Sequence, residues 1–319
     1  MCSIRPAPSA ATRSPVTAAR AADTGWRHTL ADIPPRITVR RTYKLYVGGA
    51  FPRSESGRSY PVTSSAGVHL ANAAQASRKD VRDAVVAARK AFPGWSGRTA
   101  YNRGQILYRI AEMMEGRRAQ FAEEIATAEG VSPAKAQSLV SAAIDRWVYY
   151  AGWTDKIGQV LGGANPVSGP FFNLSEPEPT GVVGVLAPTG APLLGLISVL
   201  APVITSGNTV VLVASERAPL PAITLAEVLA TSDLPAGVAN ILTGRLAELA
   251  PPLAGHADVN ALDLAGAGTL AAQLETLAAT TLKRVLRPTE DGDWNDPDPG
   301  LSRIRPFLEI KTVWHPIGR

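Results

Sequence analysis

Cysteine is the scarcest reactive residue in this chain, with one copy, Cys2, among 319 residues. A single thiol excludes an intramolecular disulfide and leaves no basis for a thiolate zinc site. Histidine is nearly as rare: His28, His69, His256 and His315 lie far apart, and none has a second ligand beside it, so no structural metal is expected. Long apolar runs are missing too. The longest, residues 192–205, is interrupted by Gly195, Ser198 and Pro202 and is shorter than the roughly 20 residues that cross a bilayer. No membrane partner is expected, and a soluble, cytoplasmic protein is the reading. The glycine fingerprint GxGxxG is absent, so that motif gives no ground for dinucleotide binding.

Hydrophobic residues make up 45% of the chain, enough for a sizeable core in one large or two smaller domains. The net charge of +5 raises the question of nucleic acid, and its location answers it. Residues 1–41 hold seven arginines, Arg5, Arg13, Arg20, Arg27, Arg36, Arg40 and Arg41, against Asp23 and Asp32, and the remainder is neutral. Residues 1–42 read as a disordered basic leader, rich in proline and alanine and without the apolar stretch of a secretory signal. Without interleaved aromatics or a basic face on the folded part, no nucleic-acid partner is expected.

The folded part begins near Tyr43, where Lys44-Leu-Tyr-Val-Gly-Gly supplies a short strand and a turn, followed by a hairpin through Ser59–Val62 and Val68–Ala71. Ser77-Arg-Lys-Asp80 has capping-box spacing ahead of Val81, Ala84, Val85, Ala88 and Phe92, which predicts a helix over 78–92 stopped by Pro93-Gly94. Three further helices follow, the last running from about 133 to 157, and its aromatic residues Trp147, Tyr149, Tyr150 and Trp153 read as core packing. From Gly181 the pattern changes. Short β-branched runs at 182–186, 209–213, 238–242, 259–264 and 283–286 alternate with helical stretches near 193–205, 218–231, 245–254 and 268–281. Repeated βαβ units predict a Rossmann-like α/β fold, a parallel sheet with helices on both faces. Residues 288–305, rich in Pro, Gly and Asp, read as a linker unable to bury enough apolar surface to order itself. Beyond it a strand over 306–319 places Leu308, Ile310 and Thr312 on one face and Phe307, Lys311 and Val313 near the other.

Several stretches together resemble the aldehyde dehydrogenase superfamily: Lys44-Leu-Tyr-Val-Gly-Gly, Tyr149-Tyr-Ala-Gly-Trp-Thr-Asp-Lys156, Glu178-Pro-Thr-Gly-Val-Val-Gly-Val-Leu-Ala-Pro188, Gly207-Asn-Thr-Val-Val-Leu212, Leu234-Pro-Ala-Gly-Val-Ala-Asn-Ile-Leu-Thr-Gly244 and Lys311-Thr-Val-Trp. The resemblance implies a variant Rossmann cofactor domain over 43–287, a catalytic domain, and an oligomerisation unit made of a hairpin arm at about 165–185 plus the C-terminal strand. Arms of 165–175 and 178–185 would form the hairpin. Phe307, Leu308, Ile310, Val313 and Trp314 would be the contact residues of the third strand.

The chain departs from that pattern where chemistry is expected. Pro188-Thr189-Gly190 stands where active members have Pro-Trp-Asn, whose amide donates to the oxyanion; losing such a donor costs about 2.7–4 kcal/mol. Val213 replaces the lysine that reaches the adenosine ribose, leaving Glu216 alone of that clamp, and a charge-assisted hydrogen bond contributes roughly 1.5–3 kcal/mol. The Phe-Thr-Gly-Ser turn appears as Leu264-Ala-Gly-Ala267, with Gly266 kept. Neither the general-base glutamate motif nor a cysteine nucleophile follows, and residues 288–305 replace the catalytic domain. The expected protein is therefore a non-catalytic subunit that assembles with a full-length aldehyde dehydrogenase, with a homo-oligomer as the alternative assembly and Glu216 and Gly266 as vestigial cofactor contacts. Two other readings stay open: a weak NAD(P)-binding or sensing protein, and an oxidoreductase with relocated chemistry for which Cys2 would be the only thiol.

Overall fold

The computed structural model describes residues 39–287 and 293–317. Most of the predicted leader lies outside them. A small mixed sheet comes first, β1 (Thr42–Tyr43), β2 (Ser59–Thr63) and β3 (His69–Ala74) in the order β1-β3-β2. Four long helices follow, α1 (Arg78–Ser96), α2 (Ala100–Glu115), α3 (Arg118–Glu129) and α4 (Pro133–Trp153), and then a single turn, α5 (Ile157–Leu161). The expected capping box is present: Asp80 N donates to Ser77 Oγ, and Ser77 N donates to Asp80 Oδ2 at 2.8 Å. Helix α1 does not stop at Pro93. Trp95 is fully buried and donates its indole N–H to Ile204 O at 3.0 Å, so tertiary packing carries the helix one turn past the proline. Helix α4 is shorter than predicted, ending where Thr154 packs into the notch left by Gly104 of α2. In its aromatic run Trp147 and Tyr150 are fully buried, and Tyr149 and Trp153 pack against the same core.

A second sheet is fully parallel, in the order β10-β9-β6-β7-β8, built from β6 (Val182–Leu186), β7 (Thr209–Val213), β8 (Ala239–Leu242), β9 (Ala261–Asp263) and β10 (Arg284–Leu286). Between them run α6 (Leu194–Thr205), α7 (Leu220–Ala230), α8 (Leu246–Ala254) and α9 (Ala271–Ala279). Alternation along the strands divides the core in two. Val183, Val185, Val210 and Leu212 face α2, α3, α4, α6 and α7, whereas Val182, Leu186, Val211 and Val213 face α1, α8 and α9. This is the doubly covered α/β sheet that the βαβ periodicity predicts.

The third sheet is an arm in the order β11-β5-β4: β4 (Gly163–Ala164), β5 (Phe171–Pro179) and β11 (Leu308–Pro316). Strand β11 lies antiparallel to β5 over nine residues, from Leu308 opposite Pro179 to Pro316 opposite Phe171. One predicted arm is corrected here. Residues 178–185 are not a hairpin strand, because the chain leaves the arm at Pro179, turns at Gly181 (φ +137°) and enters the parallel sheet at Val182. A Cβ at Gly181 would lie 2.2 Å from Asn260 Oδ1, so only glycine fits that turn. Asn208 joins the two sheets: its Oδ1 accepts from Gly181 N at 2.7 Å and its Nδ2 donates to Phe307 O at 2.8 Å, fully out of solvent.

Candidate functional site

A cleft of about 470 Å³ opens at the carboxyl ends of β6, β7 and β8, where ligands of open α/β sheets bind. Ala187 and Thr189 follow β6, Ala214 to Arg217 follow β7, Arg245 and Leu246 follow β8, Gly266 closes the floor, and Tyr60 to Thr63 of β2 form one wall. Glu216 and Gly266, far apart in sequence, both line this cleft. Both have other work. Arg245 donates to Glu216 Oε1, and Leu246 N donates to Oε2 at 3.1 Å, so the carboxylate caps the first turn of α8 and neutralises Arg245. Gly266 N bonds Leu186 O at 2.9 Å, and a Cβ at Gly266 would meet Ala187 O at 2.1 Å; the glycine is required by strand packing alone. Val213, in place of the ribose-binding lysine, is buried in the core on the α1, α8 and α9 side.

The polar set does not fit a dinucleotide well. A ribose diol would have to displace Arg245 or the Leu246 amide from Glu216, and no lysine stands beside it. Nor does the cleft assemble a nucleophile. Its hydroxyls are Tyr60, Thr63, Thr189 and Ser215; among the described residues none is hydrogen-bonded to a carboxylate or an imidazole that could take its proton. Burial pushes the Tyr60 phenol well above the usual tyrosine range, and nearby Glu216 adds to the shift, so this hydroxyl stays protonated.

Beside the cleft lies a feature that sequence reasoning misses. The acidic stretch reads as unordered, yet its described part, residues 293–304, is a strap laid across α4, α6 and the end of β9. Trp294 packs against the main core and sits 3.5 Å from where a Cβ on Gly195 of α6 would be. Ile304 is fully buried. Arg146, buried on α4, donates to Trp294 O at 3.0 Å, to Asp296 O and to Ser198 Oγ at 2.9 Å, and Tyr149 donates to Asp298 Oδ1 at 2.6 Å. Arg303 reaches Asp263 Oδ2 at 2.6 Å, at the buried end of β9, with its guanidinium 4.7 Å from the centre of the Trp294 ring. Complete burial pushes the Asp263 carboxyl up, and Arg303 opposes the shift without cancelling it. The composition argument fails because it counts apolar residues within the stretch and ignores the basic and aromatic partners waiting on the folded part.

The arm holds the remaining predicted residues, and they divide. Phe307 and Leu308 are core residues, 0% and 4% exposed, so they anchor the arm and are unavailable to a partner; this corrects their assignment as contact residues. Ile310, Val313 and Trp314 are 55%, 43% and 58% exposed, with Phe171, Phe172 and Ile317 also open to solvent around them. The two phenylalanines escape the sequence reading, because adjacent Phe171 and Phe172 in Phe-Phe-Asn-Leu show no alternation that would mark an exposed face.

A doubly wound parallel sheet with a ligand-type cleft at its carboxyl edge, carrying a three-stranded arm, defines an α/β protein built on a dinucleotide-domain plan. The sequence comparison places it further: the model of the aldehyde dehydrogenase family matches residues 51–288, and the chain belongs to that family. It is 32% identical over 269 residues to cytosolic aldehyde dehydrogenase 1 of Elephantulus edwardii, an alignment spanning 80% of this chain and 52% of that protein. Human retinal dehydrogenase 2 is similar at 32% over 269 residues, 81% of this chain and 50% of the relative. Among solved structures, HpcC from Thermus thermophilus superposes with a TM-score of 0.74 at 32% identity, covering 77% of this chain and 47% of that one. An NAD+ complex of aldehyde dehydrogenase from Bacillus cereus superposes with a TM-score of 0.72 at 28% identity, covering 77% and 50%. The chain thus spans about half the length of the relatives it matches. No helix among the described residues is long and apolar enough to cross a membrane.

Proposed function

We propose that this chain is a non-catalytic, cytoplasmic subunit of the aldehyde dehydrogenase family that assembles through its arm with a full-length aldehyde dehydrogenase and stabilises or regulates it. The observation that carries the reading is a contrast within one molecule. The cleft pairs no nucleophile with a base, while β11 keeps Ile310, Val313 and Trp314 in water beside an unpaired strand edge, the arrangement of a surface built for strand addition. Co-purification from the native cell tests it. The intact chain should elute with a full-length family member, and an Ile310→Ser/Trp314→Ser variant, which leaves Phe307 and Leu308 in the core, should elute without it. Capture that persists in the double variant would overturn the reading.

A second reading, weak NAD(P) binding or sensing, is favoured by one observation, the open cleft with Glu216 on its rim. Glu216 is held by Arg245, so affinity should be poor. Calorimetry giving a micromolar or tighter dissociation constant for either dinucleotide would move the assignment to this reading. Purified alone, the chain should produce no NADH from an aldehyde panel.

A further inference from the structure

The strap closes a cavity of its own, and we propose that this cavity binds a small amine, as its cation, with a compact apolar body such as a phenyl ring. The space is about 230 Å³ and lies between the end of α3, the start of α4, the loop after β6 and the strap. It is separate from the cleft: Thr189 lines the cleft, and the next residue, Gly190, lines the cavity. Its walls are mostly apolar. Ile125, Leu193 and Leu194 are buried in the main core, and Trp294 of the strap packs against that core and completes the lining. An apolar cavity of about 150 Å³ takes up benzene. The larger volume here leaves room for a ring and a short tail ending in a polar head.

The charged side chains in the lining are Glu129 and Lys135, and their settings decide the sign of that head. Glu129 is the last residue of α3, so its carboxylate stands at the negative end of the helix. It is half-buried and, among the described residues, makes no hydrogen bond and no ion pair at contact distance. Burial pushes its carboxyl up, and Arg217 and Lys135 oppose that shift from further away. Lys135 is exposed and keeps its water. The group short of a partner is therefore the carboxylate. An ammonium beside it restores both the opposite charge and the hydrogen bonds that burial removes. A carboxylate head reaching for Lys135 would instead face Glu129 and the negative end of α3. Binding is read on the purified chain alone, so failure to capture a full-length partner leaves it untouched.

Calorimetric titration of the intact chain at neutral pH with three ligands of one shape tests this: phenethylamine, phenethyl alcohol and phenylpropanoate. The amine should bind with a dissociation constant of about 0.1 mM, the alcohol about tenfold more weakly, and the carboxylate not at all. Glu129→Gln keeps the shape of the side chain and should weaken the amine about tenfold. The same variant should hold the alcohol as the wild type does, which shows that the cavity itself is intact. Lys135→Gln removes a cation from the lining and should tighten the amine by up to about threefold. Equal affinity for the amine in wild type and Glu129→Gln, weaker amine binding in Lys135→Gln, phenylpropanoate binding as tightly as the amine, or no amine binding up to about 10 mM would each overturn the proposal.

Discussion

The strap and the arm are two answers to the same physical problem, apolar surface on a chain that spans half the length of its relatives. Across α4, α6 and the end of β9, the strap lays Trp294 and Ile304 on the core and ties itself down with Arg146, Arg303 and Asp263. The large exposed hydrophobic residues of the arm have no such cover: Phe171, Phe172, Ile310, Val313, Trp314 and Ile317 all face solvent. The difference bears on what the molecule needs from others. The strap covers apolar surface that the arm leaves open, so the arm is one place where a partner would bury exposed side chains.

The sharpest way to break this comparison is to cut the strap's buried ion pair. Arg303→Met leaves Asp263 charged and unpaired in the core and should destabilise the chain by about 3–5 kcal/mol in urea denaturation. Burial raises the folded-state pKa of Asp263, so the stability this group contributes is present below the ordinary carboxylate range and is lost as pH rises through the raised value. The Arg303→Met penalty should therefore be largest at neutral pH and shrink on acidification. An equal penalty at both ends of that range would mean that Asp263 is neutral even beside Arg303.

Trp294→Ala comes next. It removes a half-buried ring and the surface under Arg303, for about 2 kcal/mol and new dye binding at the uncovered face. If stability is unchanged, the strap is ornamental and the contrast with the arm disappears. Glu216→Ala should cost less, about 0.5–1 kcal/mol, from the lost cap on α8 and a solvent-screened ion pair, with no effect on dinucleotide titrations. A fall in NAD(P) affinity would return Glu216 to cofactor duty. Smallest in stability is Trp314→Ser, at most about 0.5 kcal/mol because the ring is mostly in water. The same change should lower affinity for whatever covers the arm about a hundredfold, as loss of an aromatic anchor does.

The parallel sheet is readable because each strand is a short β-branched run with a helical period after it, and strands buried on both faces leave little else they could be. The capping box at Ser77 and the terminal strand are readable for the same reason: spacing alone specifies them. What spacing cannot supply is a partner distant in sequence. Pro93 looks like a stop until Trp95 finds Ile204 O. The 178–185 segment looks like one strand until the Gly181 turn splits it between two sheets. Glu216 and Gly266 do lie beside one cleft, yet their roles depend on Arg245 and on Ala187 O, which no motif names. The strap is hidden most thoroughly, because Arg146 and Asp263 lie far from Trp294 and Arg303 and stand in the sequence as an ordinary helix residue and an ordinary strand end.

Asn208 gives the arm a property that exposure alone would not. Its amide bonds the entrance of β6 and the carbonyl of Phe307 at once, so the start of the outgoing strand is fixed to the central sheet. Rocking the arm would break buried hydrogen bonds, each costly to leave unmade. The strand is therefore held in its extended, aligned shape before anything meets it, and the ordering entropy that a flexible tail would lose on docking is already spent in folding. Association through this edge should be fast and close to rigid-body, with the β11 amides that bond β5 exchanging slowly even in the free chain and the alternate amides on the open edge slowed only on assembly.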